Sequence, residues 1–258
     1  MGDIGSGLLV AFGLYSALPL PQIEWKKNTM RFALGFLPLI GVIVGLAQFG
    51  WLWLAHCWQL NGMLYAAVAV LVPVVLTGGI HLDGFTDTCD ALCSYGDREK
   101  RLEILKDPHV GAFGVLWLIA LLLLQFGLFA QLYDAPQTAA MLGAGYAMAR
   151  AFGGYMIVTQ PCAKDSGLAR LFADNADKKT VARAMCVWAA VCALVLLVTG
   201  RGWFGALAAA AVLLFWVYHI RKCKRIFGGI TGDLCGMCIT VCETLALAAA
   251  VIGGLCLR

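Results

Sequence analysis

Charge is what this 258-residue chain has least of. Only 13% of its residues are Asp, Glu, Lys or Arg, against roughly 25% in an average soluble domain. Hydrophobic residues make up 61% and the mean hydropathy is +0.83. These values exclude a water-soluble globule and predict an all-α, polytopic membrane protein. Other absences narrow the chemistry. There is no Walker loop, no G-x-G-x-x-G and no Ser-His-Asp order. The apolar stretch at residues 4–20 has no basic flank and is broken by Gly13 and Pro19. It therefore does not read as a signal peptide. It is marginal as a span and fits a segment that lies at the interface or re-enters. The Met1-Gly2 start fits a myristoylation pattern too short to carry weight. No repeat or low-complexity tract divides the chain, so residues 1–258 are taken as one domain. Eleven cysteines include Cys235-x-x-Cys238. No second ligand pair accompanies it, and Cys235, Cys238 and Cys242 open an apolar helix, so packing explains them better than zinc or redox chemistry.

What the chain has instead is long apolar runs. Seven candidate spans cover roughly 32–54, 62–80, 111–133, 137–159, 181–199, 203–220 and 234–256. Each is near the roughly 20 residues a bilayer requires. Inside lipid they must be helices, because every backbone group needs an internal partner. The basic residues sort sharply between the two sets of connections. Lys26, Lys27 and Arg31 lie on one side. So do Arg98, Lys100, Arg101 and Lys106, then Lys164, Arg170, Lys178, Lys179 and Arg183, then Arg221, Lys222, Lys224 and Arg225. These are sixteen of the nineteen bases. The other side holds only Arg201 and Arg258. The positive-inside rule places the N-terminus and the loops 81–110, 160–180 and 221–233 in the cytoplasm. The net charge of +4 belongs to this belt and suits anionic lipid heads. It is no argument for nucleic acid.

Acidic residues gather in one of these basic loops. Residues 81–110 hold seven acids against four Lys or Arg. Asp83, Asp87 and Asp90 fall at i, i+4 and i+7, on one face of a helix. Three like charges on one face repel, and a divalent cation resolves the repulsion. Carboxylates are ligands that Mg²⁺ accepts, usually shared with substrate phosphates. The bland account is an acidic helix start favoured by the helix dipole, but Asp90 lies too far along for that. Downstream, Asp97 is placed to cap a surface helix running to Lys106. Lys106-Asp107-Pro108 leads to Gly111 and Gly114 at the next span. Gly228-Gly229-Ile230-Thr231-Gly232-Asp233 precedes the last span; Asp233 is either its N-cap or a further ligand beside a phosphate cradle. Two charges are deeper. Arg150 and Glu243 each sit about ten residues, or roughly 15 Å, from the same end of their spans. They are either a packing salt bridge or substrate-binding groups.

The segment Gly78-Gly79-Ile80-His81-Leu82-Asp83-Gly84 with Asp87 and Asp90 resembles the signature of the cobalamin synthase family. So do Lys106-Asp107 with Gly111 and Phe113-Gly114, and Thr231-Gly232-Asp233 with Gly236 and Glu243. Leu18-Pro19 and Phe36-Leu37-Pro38-Leu39-Ile40-Gly41 also fit. The departures are Ala91 after Asp90, where a glycine is expected, and the larger pair Phe85-Thr86. The resemblance implies a transferase that joins adenosylcobinamide-GDP to α-ribazole, or its 5′-phosphate. The products are adenosylcobalamin, or its phosphate, and GMP, with Mg²⁺ as cofactor. It implies catalytic roles for His81, Asp83, Asp87 and Asp107 and metal ligation by Asp83, Asp87, Asp90 and Asp233. Binding roles follow for Gly84, Lys106, Gly111, Gly232, Arg150 and Glu243. Asp107 is either a further ligand or the general base. The expected location is a bacterial inner membrane, with the site facing the cytoplasm. Expected partners are membrane lipid, other cobalamin-assembly enzymes and a second copy as a homo-oligomer. The rival readings are a CDP-alcohol phosphotransferase and an aspartate-rich prenyltransferase. The first lacks its Ala-Arg after Asp83-Gly84, and the second would carry two Asp-rich helices. A transporter would spread charge across the midplane of paired halves.

Overall fold

The computed structural model describes residues 3–21 and 24–257; Met1, Gly2, Gln22, Ile23 and Arg258 lie outside the described residues. All named elements are helical. In chain order they are α1 (Asp3–Tyr15), α2 (Lys27–Met30), α3 (Leu37–Cys57), α4 (Gly62–Thr77), α5 (Ile80–Cys93) and α6 (Arg98–Ile104). Then come α7 (Ala112–Asp134), α8 (Met141–Thr159), α9 (Leu168–Asn175), α10 (Lys178–Thr199), α11 (Trp203–Phe227) and α12 (Gly232–Cys256). Among the described residues, five helices are long and apolar enough to cross a membrane, and six if the bent pair α4–α5 counts as one. The protein is a polytopic helical membrane protein.

The remaining predicted span, 137–159, becomes α8 after a 3-10 turn at Pro136–Thr138. Arg150 and its many small residues leave it less apolar than the others. It has no need of a lipid-facing surface, because nearly all of its residues are buried. α3, α10 and α12 enclose it. Close approach explains this packing. Gly41 and Gly45 of α3 form a small-xxx-small pair, and a methyl on Gly41 would stand 2.6 Å from the Tyr146 carbonyl oxygen. α7, α10 and α11 are the outer helices: 17%, 22% and 22% of their most apolar windows are buried, against 72% for α12. Of the segment at 4–20, the part up to Tyr15 is helical and belongs to α1, whose Val10, Ala11 and Tyr15 are buried against the bundle.

α4 does not continue through the predicted 62–80. Gly78 ends it at φ 66° and Gly79 opens α5 at φ 75°. Two successive left-handed residues suit glycine alone. They turn the chain by 98°, and that turn carries the acidic helix across the start of α12.

Candidate active site

The first turns of α5 and α12 cross with their backbones nearly touching. A methyl on Gly84 would lie 2.8 Å from the Asp233 carbonyl oxygen, and one on Gly236 would lie 3.2 Å from that of His81. The Thr240 hydroxyl donates to the same His81 carbonyl at 3.1 Å. This notch sets Asp83 and Asp87 of α5 beside Asp233 of α12. The Asp87 carboxylate is within electrostatic reach of those of Asp83, Asp233 and Asp90. Thr231 caps α12 by accepting from the Leu234 amide at 3.2 Å and donates to Asp233 at 3.2 Å. Asp233 is therefore not the N-cap; its own carboxylate stays at the helix mouth.

A cavity of about 450 Å³ opens at this crossing. That lies within the range of small-ligand pockets. His81, Asp83, Thr231, Gly232 and Asp233 line it on one side, and Lys164, Ser166, Gly167 and Arg170 on another. Lys164 stands 3.8 Å from Asp233 and donates to the Leu105 carbonyl at 2.9 Å. Burial holds its ammonium below the ordinary lysine range, with Asp233 acting against that. His81 is 7% exposed and stacks on Tyr15 with ring centroids 6.3 Å apart. Among the described residues its Nε2 has no hydrogen-bond partner.

The cationic wall was not foreseen from the sequence. It is built by a contact remote in the chain. Gly228, at φ 75°, ends α11, and the strand-like residue Ile230 then bridges to Cys162. Ala163 donates to the Ile230 carbonyl at 2.8 Å, and Ile230 to that of Pro161 at 2.9 Å. The loop after α8 is thereby pinned beside Asp233. Its only local signal is the punctuation Pro161…Gly167 around a lysine.

Several predicted residues make other contacts or lie outside the cavity lining. Asp90 accepts from the amides of Gly111 and Gly114, both at 2.8 Å. It thus caps α7 from 21 residues upstream, and its charge serves that helix dipole. Lys106 and Asp107 are exposed and line no part of the cavity. Asp107 accepts from the His109 amide at 2.9 Å and lies 2.7 Å from its Nδ1, contacts that hold the carboxyl below its usual range. Arg150 and Glu243 pair directly, deep behind the cavity. Arg150 is fully buried and also donates to the Tyr146 carbonyl at 3.1 Å. A separate void of about 20 Å³ lies between this pair and His81, room for one water.

The donor set of Asp83, Asp87 and Asp233 is all carboxylate, the chemistry of a hard cation such as Mg²⁺. Among the described residues, no group of three His, Cys, Asp or Glu is drawn into a ready cage. Mg²⁺ is commonly held by one or two carboxylates, several waters and substrate phosphates, so an open set fits it. The site thus sets carboxylates and a lysine around one cavity of a membrane-embedded protein.

Comparison with known proteins narrows this class. The family model for cobalamin-5-phosphate synthase matches residues 7–251. Adenosylcobinamide-GDP ribazoletransferase of Lachnoclostridium phytofermentans is 34% identical over 247 residues, covering 96% of this chain and 94% of the relative. The enzyme of that name from Clostridium botulinum is 30% identical over 252 residues, 98% and 99% of the two chains. That from Acinetobacter baumannii is 33% identical over 248 residues, 94% and 96%. No solved structure matches. The chain belongs to the cobalamin-5-phosphate synthase family.

Proposed function

We propose that this protein is a transferase of cobalamin assembly. It moves the cobinamide phosphate of adenosylcobinamide-GDP onto α-ribazole or α-ribazole 5′-phosphate and releases GMP. The observation that carries this reading is the cavity in which Asp83 and Asp233 face Lys164. A diphosphate needs both signs: cations for its oxygens, and carboxylates for a bridging metal. We assign the metal to Asp83, Asp87 and Asp233, with Asp90 as the residue that positions α7. When bound, Mg²⁺ supplies charge neutralisation and polarisation of the phosphoryl oxygens.

The chain's own groups do the rest. His81, buried and stacked on Tyr15, orients the acceptor hydroxyl, and a carboxylate of the cluster takes its proton. The acceptor hydroxyl oxygen forms the new bond to the cobinamide phosphorus as that proton passes to the carboxylate. The bond to the GMP oxygen breaks, and GMP leaves with that electron pair. Lys164 stabilises the charge that grows there. Gly232 leaves the mouth free of a side chain, and Gly84 lets α12 approach. Asp107, turned to His109 on the surface, is not the base in this scheme. A corrin ring is too large for about 450 Å³ and stays at the mouth. The sixteen-to-two basic asymmetry supports a bacterial inner membrane with this mouth in the cytoplasm.

The experiment is GMP release from adenosylcobinamide-GDP by purified membranes, with each acceptor, with and without Mg²⁺. Release that requires both acceptor and metal is expected. No release with either acceptor overturns the function. Full release in the presence of a chelator overturns the metal assignment alone.

A further inference from the structure

The helix that carries the aspartates has a second, apolar face. Phe85, Cys89 and Leu92 fall at i, i+4 and i+7, opposite the stripe of Asp83 and Asp87. They line a groove of about 520 Å³, together with Trp117 and Leu124 of α7. Trp117 and Leu124 are exposed, on one of the outer helices, so the groove opens to lipid. Phe85, Cys89 and Leu121 form an apolar cluster of their own, apart from the main core. Among the described residues, the one charged group in this lining is Lys222 of α11. Lys222 stands five residues before the end of α11, and Trp117 five residues after the start of α7. Both are therefore roughly 7.5 Å from the helix ends that carry the basic belt, near the depth of the lipid headgroups. Lys222 is half-buried. Its Nζ lies over the Tyr218 ring, 5.8 Å from the centroid, a contact that spends none of its three N–H donors. It takes part in none of the ion pairs among the described residues. Its charge reaches the Cys89 thiol on the far wall of the groove. A half-buried ammonium in an apolar wall, with no anion of its own, favours one supplied from outside.

We infer that this groove seats one anionic phospholipid, with an acyl chain along Phe85, Cys89 and Trp117 and the headgroup phosphate on Lys222. Charge decides the class of lipid. A zwitterionic lipid carries its own cation beside its phosphate, whereas an anionic one gains the whole attraction of Lys222. One lysine near an anionic lipid surface corresponds to about 5-fold in occupancy. Arg221, Lys224 and Arg225, on the same helix end, are exposed and attract anionic lipid in general. Lys224 lies on the opposite side of α11 from Lys222 and does not line the groove. The seated chain packs against the back of α5, the helix that presents Asp83 and Asp87 to the cavity. The inference does not depend on the proposed reaction.

The test uses the full chain in phosphatidylcholine nanodiscs and the fluorescence of Trp117, taken as the difference between the wild type and Trp117→Phe. A minor fraction of the lipid is replaced by phosphatidylglycerol or phosphatidylcholine with brominated chains, which quench a tryptophan they touch. At equal fractions, brominated phosphatidylglycerol should occupy the groove about 5-fold more than brominated phosphatidylcholine. Lys222→Gln should bring the two lipids to parity, and Lys224→Gln should keep the preference. Equal quenching by the two lipids in the wild type overturns the inference, as does a preference that survives Lys222→Gln. Equal losses in Lys222→Gln and Lys224→Gln would assign the preference to the basic belt and overturn the seat. No quenching of Trp117 by either lipid, the result if a second copy covers the groove, also overturns it. A second measurement does not use Trp117. After purification in detergent, the wild type should retain about 5-fold more phosphatidylglycerol per chain than Lys222→Gln; equal content overturns the inference.

Discussion

Replacing Glu243 tests how the buried charges hold the site together. Glu243 pairs with Arg150, which is fully buried. Glu243→Leu leaves that guanidinium with the Tyr146 carbonyl as its remaining protein acceptor. Breaking a buried pair from one side costs about 3–5 kcal/mol. Glu243→Gln keeps an acceptor oxygen and loses the charge, which costs about 1–3 kcal/mol. A chain of this size shifts its Tm by roughly 2–4 °C per kcal/mol. The Leu variant should therefore melt about 6–20 °C lower, and the Gln variant about 2–12 °C lower. The double variant Arg150→Met, Glu243→Leu removes both charges and should regain most of the loss, because apolar replacement of a whole buried pair is near neutral. The cysteines supply the assay. Cys89, Cys192, Cys223, Cys235, Cys238 and Cys242 are free and buried, so a thiol-reactive dye in detergent reports the opening of the bundle as a rise above the reaction of exposed Cys57, Cys186 and Cys256. Equal melting of the Leu and Gln variants, or additive losses in the double variant, would refute the pair as a structural clamp.

Asp83→Asn and Asp87→Asn keep size and polarity and should each cut GMP release by more than about 100-fold at normal expression, with partial recovery in higher Mg²⁺; near-normal release would remove the metal bridge. Asp90→Asn should keep far more activity, because it retains an acceptor for the α7 amides, while Asp90→Ala should destabilise by about 0.5–2 kcal/mol. Equal loss of turnover in Asp90→Asn and Asp83→Asn would return Asp90 to the metal. Gly84→Ala places a methyl 2.8 Å from the Asp233 carbonyl and should depress turnover, whereas Gly13→Ala, with nothing within 4 Å, should not; matched behaviour refutes the helix notch. Cysteine labelling at positions 97 and 174 in a Cys-depleted background should fail from the outer face, and ready labelling there would invert the topology.

Local patterns in the sequence carried over well. Asp97 caps α6 through the Lys100 amide at 3.0 Å, as its position before a polar run suggested. The equal depth of Arg150 and Glu243 implied a contact, and they pair. Three aspartates at helical spacing did fall on one short helix. The misses share a cause, which is that the partner is distant in the chain. Asp90 finds its amides at 111 and 114, a contact that the face shared with Asp83 did not reveal. Arg170 and Lys164 reach the cavity because residues 161–163 are tied to Ile230, a pairing without local signature. The bend at Gly78-Gly79 was visible as two glycines, but its 98° turn follows from both taking positive φ, which composition does not encode. α8 looked like an ordinary span. Its small residues and arginine make sense only once α3, α10 and α12 are seen around it.

One face of α12 connects the interior of the bundle to the site. Asp233, Gly236, Thr240 and Glu243 are spaced by three, four and three residues, so they share a single stripe. Along that stripe Asp233 enters the cavity, Gly236 admits α5, Thr240 holds the His81 carbonyl and Glu243 binds Arg150. The ion pair does not line the cavity, whose nearest lining residues on the same two helices, Gly153 and Ile239, stand three and four positions away, about one helical turn. Its effect on the site is through the rotation of α12. A helix in a bilayer core gains little from burying one apolar face rather than another, since lipid is as apolar as its neighbours. Its rotation is therefore poorly fixed by hydrophobicity alone. A charge with one buried partner fixes it, because every other rotation strands that charge. The same rotation that satisfies Arg150 delivers Asp233 to Asp83 and Thr240 to His81. This accounts for a costly buried charge behind a site it does not touch.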